Sequence, residues 1–213
     1  MGGKGVDGVQ ATCKNREAEG RIELDHVPVA TPFGALTGTL GVQSDRRVLS
    51  ILGAEGGLLR PTDSRASAAY LFEELALGGG LRLQAAGRIE GARVTGTEAA
   101  FPADLRPRFP GDEPIEFGRR RRFAPKSASI GALQDLPYGF VASLTGSYVE
   151  RGPTGYELFS QGPHDATATF EIGNPNLKKE RARTVEASIR RAEGPFRLDA
   201  TGYFTRYTGF IYR

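Results

Sequence analysis

Residues 150–180 read ERGPTGYELFSQGPHDATATFEIGNPNLKKE, and residues 181–213 read RARTVEASIRRAEGPFRLDATGYFTRYTGFIYR. The second stretch has a period of two. Val185, Ala187 and Ile189 alternate with Thr184, Glu186, Ser188 and Arg190. Beyond Ala192-Glu193-Gly194-Pro195, the set Phe196, Leu198, Ala200, Gly202 and Phe204 alternates with Arg197, Asp199, Thr201, Tyr203 and Thr205. Successive side chains of a strand point to opposite faces, so the pattern predicts an antiparallel hairpin turning at 193–195. In a soluble sandwich the apolar set faces a core; in a membrane barrel it faces lipid and the polar set faces a wet lumen. Small residues such as Ala200 and Gly202 suit a lipid face and fill a sandwich core poorly. Periodicity alone leaves both readings open.

Working upstream with turn chemistry as punctuation, strands are expected at 18–27, 33–48, 66–77, 81–94, 121–135, 140–151, 182–192 and 196–207. Their connections alternate strictly. Those at 28–32, 78–80, 136–139 and 193–195 are short; those at 49–65, 95–120 and 152–181 are long. Outer-membrane barrels show this alternation because turns on one side are tight and loops on the other carry recognition. A sandwich has no reason to gather its long loops at one end. The expected fold class is therefore all-β: a partial antiparallel transmembrane β-barrel wall of about eight meandering strands with alternating short turns and long loops. One residue resists the pattern. Glu73 interrupts the apolar face of Ala69, Leu71, Leu75 and Leu77, which places it near an interface or marks a register error.

The 150–180 stretch closely resembles a segment of the TonB-dependent outer-membrane receptors, in the branch described as zinc-regulated. There an ER.PT..ELF..GPH.AT..FEIG.PNL..E segment forms a loop rim between two barrel strands. The matching positions are Arg151, Pro153, Glu157, Leu158, Gly162, Pro163, His164, Glu171, Gly173, Asn174, Pro175, Leu177 and Glu180. The resemblance is specific over the last third of the chain and weaker back to about Arg16. It implies active nutrient uptake across the outer membrane, of a metal ion or metal chelate, driven through TonB contacting a plug. Barrels of this family have about twenty-two strands, so the chain reads as a fragment: residues 1–15 as a poorly defined segment, 16–213 as barrel wall, with plug and TonB box absent. The Met1-Gly2-Gly3-Lys4 start has no signal-peptide character.

Composition fits a wall. Of 213 residues, 39% are hydrophobic, 29 are Gly and none is Trp, lean for a soluble core of this size. No apolar run approaches the ~20 residues of a membrane-spanning helix, whereas strands of ~9–11 residues suffice for a barrel. Cys13 is the only cysteine, which excludes an internal disulfide and any CxxC motif.

Candidate sites are few. His164 and Asp165 are the metal candidates, but two ligands are too few for zinc, and His26 is expected at the opposite, short-turn end. His164 is expected to hold loop geometry, and no metal or other cofactor is assigned. The 174–177 segment, Asn-Pro-Asn-Leu, has turn character. Arg119 to Arg122 reads as a solvated strand end, as rim charge meeting lipopolysaccharide phosphates, or as a nucleic-acid patch; no nucleic-acid motif accompanies it, so none is expected as a partner. No nucleophile elbow, P-loop or catalytic constellation is present, so an enzyme is not expected. The expected partners are outer-membrane lipid and lipopolysaccharide, with TonB reached only through a plug and the transported ligand unidentified. Two rivals stand beside this reading: a complete eight-stranded outer-membrane barrel or adhesin, and a soluble all-β binding module.

Overall fold

The computed structural model describes residues 11–53, 56–100, 115–164 and 168–212. Its long strands are β1 (Ala11–Asp25), β3 (Gly34–Gly53), β4 (Thr62–Gly78), β5 (Leu81–Ala100), β6 (Ile115–Phe123), β7 (Lys126–Leu136), β8 (Phe140–Arg151), β11 (Glu180–Arg191) and β12 (Leu198–Thr208). They pair antiparallel in the order β1-β3-β4-β5-β7-β8-β11-β12, with β6 pairing β5 and the short β2 (Val29–Thr31) pairing β3. The sheet is a meander whose two edges, β1 and β12, do not meet.

The register fixes which residues share a face, because directly opposed side chains point the same way. Val42 opposes Ile22 and Ala69, Ala69 opposes Ile89, and Ala132 opposes Leu83 and Leu144. Leu144 opposes Ala187, and Ala187 opposes Gly202. One face of every strand thus joins a single apolar surface, on which Leu24, Leu40, Leu71, Leu83, Ile130, Leu144, Val185 and Phe204 stand exposed. The other face carries Glu23, Gln43, Tyr70, Arg88, Ser129, Thr145, Glu186 and Tyr203.

Four connections turn at one end: those of β1 to β3, β4 to β5, β7 to β8 and β11 to β12. The other end carries the connections of β3 to β4, β5 to β6 and β8 to β11. The expected sorting of the connections between the two ends holds for the described residues. The β3 to β4 connection, however, expected to be long at 49–65, spans only 54–61 and is no longer than the β1 to β3 connection at 26–33, because β3 and β4 extend into it. Gly57 and His164 lie at the long-loop end; Gly111, expected there too, falls outside the described residues.

Several boundaries differ from the sequence reading, each for a physical reason. β1, expected at 18–27, is Ala11–Asp25, and it, β3, β4 and β5 all run several residues further toward the long-loop end than expected. Backbone pairing there continues past the apolar stretch, and alternation in hydrophobicity marks only the part that faces lipid. The strand expected at 121–135 is two, β6 and β7, broken at Ala124-Pro125. Pro125 has no N–H to offer the ladder, and its carbonyl accepts instead from the Glu90 amide at 3.0 Å. The last hairpin pairs Arg191 with Leu198, which leaves Phe196 in the turn rather than in β12. There its ring lies 6.2 Å from that of Phe140, with the Arg191 guanidinium 4.4 Å above it.

Glu73 keeps its predicted face, opposite Gly38 and Ala85. It lies toward the short-turn rim, and its carboxylate meets His26 Nε2 at 3.1 Å. The Val27 carbonyl and this carboxylate hold the His26 imidazole above its ordinary pKa. The contribution of that pairing is therefore present in acid and lost as pH rises through the raised value.

The two faces of β11 are separable by experiment. Val185→Arg is expected to destabilise the vesicle-inserted chain by about 2–4 kcal/mol, the cost of a cation near the bilayer midplane. Glu186→Arg, one residue away on the other face, is expected to change it by less than about 1 kcal/mol. Urea titration of both variants in phosphatidylcholine vesicles checks the difference.

Candidate functional site

The connection from β8 to β11 is not an irregular loop. It holds a helix, α1 (Gly155–Phe159), and a hairpin of β9 (Gln161–His164) with β10 (Thr169–Ile172). Thr154 and Glu157 form a reciprocal capping box that starts the helix. The Thr154 amide donates to Glu157 Oε2 at 2.7 Å, and the Glu157 amide donates to Thr154 Oγ1 at 3.3 Å. A second clamp comes from the wall: Arg151 donates to both carboxylate oxygens of Glu157, at 3.0 and 3.1 Å, and meets Glu180 at 3.5 Å. Burial pushes the Glu157 carboxyl up, but the Arg151 guanidinium and the Thr154 amide outweigh it and hold the group below its ordinary value.

The helix folds inward. Leu158 and Phe159 are buried with Leu59 and Val94, and Leu49, Ile51, Phe123, Tyr156 and Leu177 pack against them. Val94 lies on the same strand face as Arg88 and Glu90, the polar side of the wall, so this cluster sits on the lumenal surface below the long-loop rim. Two glycines make the approach possible. A Cβ on Gly96 would overlap the Phe159 ring, and one on Gly173 would lie 2.6 Å from the Leu158 carbonyl carbon.

The remaining motif residues close the fold of this insert. Gly173 donates to the Ser160 carbonyl at 2.6 Å, Asn174 donates to the Glu157 carbonyl at 3.0 Å, and Leu177 donates to the Asn174 carbonyl at 3.2 Å. The Asn174 side chain accepts from the Asn176 amide at 2.9 Å, the turn expected of that segment. Pro153 is buried, Gly162 lies against Leu58, and Pro163 is exposed. Glu180 accepts from the Ile211 amide at 2.8 Å, tying the chain beyond β12 to the start of β11.

His164 lies in β9, and its Nδ1 stands 2.8 Å from Glu171 Oε1, while the Tyr156 hydroxyl donates to Glu171 Oε2 at 2.7 Å. These three border a cleft of about 850 Å³ that also takes in Phe170, Leu177, Phe210 and Tyr212. Among the described residues no group of three His, Cys, Asp or Glu side chains is placed to hold a metal ion. Asp165, the other metal candidate, lies outside the described residues. His26 is at the opposite end of the sheet from His164.

The arginine run divides between the two faces. Arg119 meets Glu98 of β5 at 3.1 Å and donates to Asn176 Oδ1 at 3.4 Å, and Arg121 donates to the Leu177 carbonyl at 3.1 Å, so both brace the β8 to β11 connection from the lumenal side. Arg120 and Arg122 point the other way and are exposed.

The sequence profile described as "TonB dependent receptor-like, beta-barrel" matches residues 12–213. The chain belongs to the TonB-dependent receptor family. Its place is the bacterial outer membrane, and the family is one of receptors and transporters rather than enzymes. Solved structures of similar fold include the Serratia marcescens hemophore receptor HasR bound to HasA and heme, at 13% identity and TM-score 0.64. They also include the copper transporter OprC, at 13% and 0.61, and the alcaligin receptor FauA of Bordetella pertussis, at 17% and 0.55. Each match covers 92% of this chain and 33%, 31% and 30%, respectively, of the other, so the chain spans about a third of their length.

Sequence reading did not single out Phe159, Gly96 or the Leu59 and Val94 contacts. The Thr-x-x-Glu spacing at Thr154 and Glu157 was a legible helix-start signal; the inward packing was not, because its wall partners are distant in sequence. Phe159→Ala is expected to cost about 3–5 kcal/mol of local stability. Hydrogen exchange should show lost protection across 155–173 with β11 and β12 unchanged. Acidification should release the same segment. Because the Glu157 pKa is depressed on folding, its contribution is present above the ordinary carboxylate value and lost as pH falls below it. Exchange at 155–160 measured from pH 6 down to pH 3 tests this, and Arg151→Met should flatten the dependence.

Proposed function

We propose that this chain forms part of the wall and outer mouth of a receptor that takes up a scarce nutrient, a metal ion or metal chelate, across the outer membrane. The observation that carries the reading is the position of the 155–173 insert. It packs on the lumenal face at the long-loop end, where it narrows the entrance and presents the cleft bordered by Tyr156, His164 and Glu171. Heme and copper, bound or carried by two of the proteins of similar fold, are a metal chelate and a metal ion, and the resemblance of the motif to zinc-regulated receptors points the same way. The motif residues Arg151, Glu157, Gly173, Asn174 and Glu180 shape the insert, and the cargo meets the side chains that the insert holds in place. Energy from TonB would reach such a receptor through a plug; the described residues are wall and insert. Lipid and lipopolysaccharide surround the outward face.

Two measurements test this. Loss of the gene in its host should reduce accumulation of one of zinc, iron or copper under limitation of that metal, and a protonophore should abolish the difference. Unchanged accumulation of all three would overturn the metal reading. For His164, calorimetric titration of the refolded chain with zinc is expected to show no micromolar binding, because tetrahedral zinc wants four ligands, or three and water. Micromolar or tighter binding that disappears in His164→Ala would place a metal site in this chain.

A further inference from the structure

On the outward face, just beyond the apolar stretch of each strand, four arginines oppose one another across four neighbouring strands. Arg46 of β3 pairs Arg65 of β4, Arg65 pairs Arg93 of β5, and Arg93 pairs Arg122 of β6. One step further along the strands, Arg120 opposes Thr95, Thr95 opposes Asp63, and Asp63 opposes Val48. One step back, toward the short turns, Ser44, Ser67 and Gly91 oppose one another, and below them lie Val42, Ala69 and Ile89. Apolar residues thus give way to small neutral ones and then to arginines, within about 13 Å along a strand.

Directly opposed residues sit with Cβ atoms roughly 4.5–5.5 Å apart, and like charges so placed repel. Three consecutive arginine pairs are an unfavourable arrangement unless an anion lies among them. Asp63 supplies part of this, meeting Arg46 at 2.7 Å and Arg65 at 3.0 Å. Among the described residues no carboxylate reaches Arg93, Arg120 or Arg122, and all three are exposed. Five arginines against one aspartate leave a net charge of +4 on this patch. The guanidinium fork matches phosphate oxygens two at a time.

We propose that Arg46, Arg65, Arg93, Arg120 and Arg122 form a binding site for the phosphorylated headgroup of an outer-leaflet lipid, the phosphates of lipid A. The inference rests on the reading of the apolar face as lipid-facing and adds the residues that meet the headgroup layer. It also explains the arginine run itself: its odd members brace the β8 to β11 connection from inside, and its even members join the outward patch.

The test uses the full chain in dodecyl maltoside micelles doped with bis-phosphorylated lipid A. Parallel arms use phosphate-free glycolipid and inorganic pyrophosphate. Lipid A is expected to bind, and to bind more weakly as salt rises. The variant Arg65→Gln with Arg93→Gln and Arg122→Gln should weaken binding on the order of a hundredfold, roughly fivefold per arginine near a lipid surface. An equal loss of charge on the lumenal face, Arg21→Gln with Arg47→Gln and Arg190→Gln, should change it by less than about twofold. Asp63→Asn, which removes the one counter-charge, should strengthen binding, an outcome that misfolding does not produce. Equal effects of the two triple variants would overturn the proposal, as would glycolipid or pyrophosphate binding as tightly as lipid A. Protease protection in phosphatidylcholine vesicles reads the underlying assumption separately. A chain that does not insert there brings down the lipid-facing reading and this site with it, whereas an inserted chain indifferent to the outward arginines brings down the site alone.

Discussion

The backbone of a chain inside hydrocarbon has no water to bond, so each N–H and C=O must find a partner on a neighbouring strand. That requirement is the constraint from which the rest of this structure follows. It forces long antiparallel ladders in a meander, and the ladders fix register. Register in turn assigns every side chain to lipid or lumen, because a slip of one residue would exchange the two faces. The two-faced pattern is therefore both the signature of the fold and its restraint. Leu144, Ala187 and Gly202 share one surface, and Thr145, Glu186 and Tyr203 share the other, on three adjacent strands.

Where the wall rises beyond the apolar band the constraint relaxes and each face takes on its own chemistry. The outward face turns basic. The lumenal face receives a folded insert, anchored by Leu158 and Phe159 and clamped by Arg151 through Glu157. The insert gets its shape from a handful of short-range devices: a capping box, a guanidinium clamp, an asparagine turn and glycines where backbones meet ring or carbonyl. These devices hold Tyr156, His164 and Glu171 at the edge of one cleft. Rigid wall and local clamps together give the insert a defined surface.

Much of this was legible in the sequence, for a reason that also marks its limit. Alternation of apolar and polar residues reports what faces lipid, so the strand expected at 140–151 coincides with β8, and the short turns fall where expected. The same signal fades once a strand leaves the bilayer. The extensions of β3, β4 and β5 are held by backbone pairing that leaves no mark in hydropathy. The break at Pro125 was visible as a proline but not as a division, since β6 and β7 continue along the same neighbour. Glu73 stands out in the sequence as an anomaly, and its partner near the short-turn rim, His26, is distant in sequence. The inward packing of Phe159 needed Gly96 and Val94, and the outward arginine row needed three register pairings. Each is a contact between strands far apart in the chain, which local pattern does not encode.

The central claim is that odd-numbered side chains of β11 face lipid and even-numbered ones face water. Site-directed spin labelling tests it most directly. In a Cys13→Ser background, single cysteines placed in turn from Thr184 to Ile189 are labelled and the chain is reconstituted in vesicles. Collision rates are then measured with oxygen, which partitions into lipid, and with a polar nickel chelate. The account predicts two period-two oscillations in opposite phase, with oxygen maxima at Val185, Ala187 and Ile189. Collision rates that vary smoothly along the strand, or nickel maxima at those three positions, would contradict it.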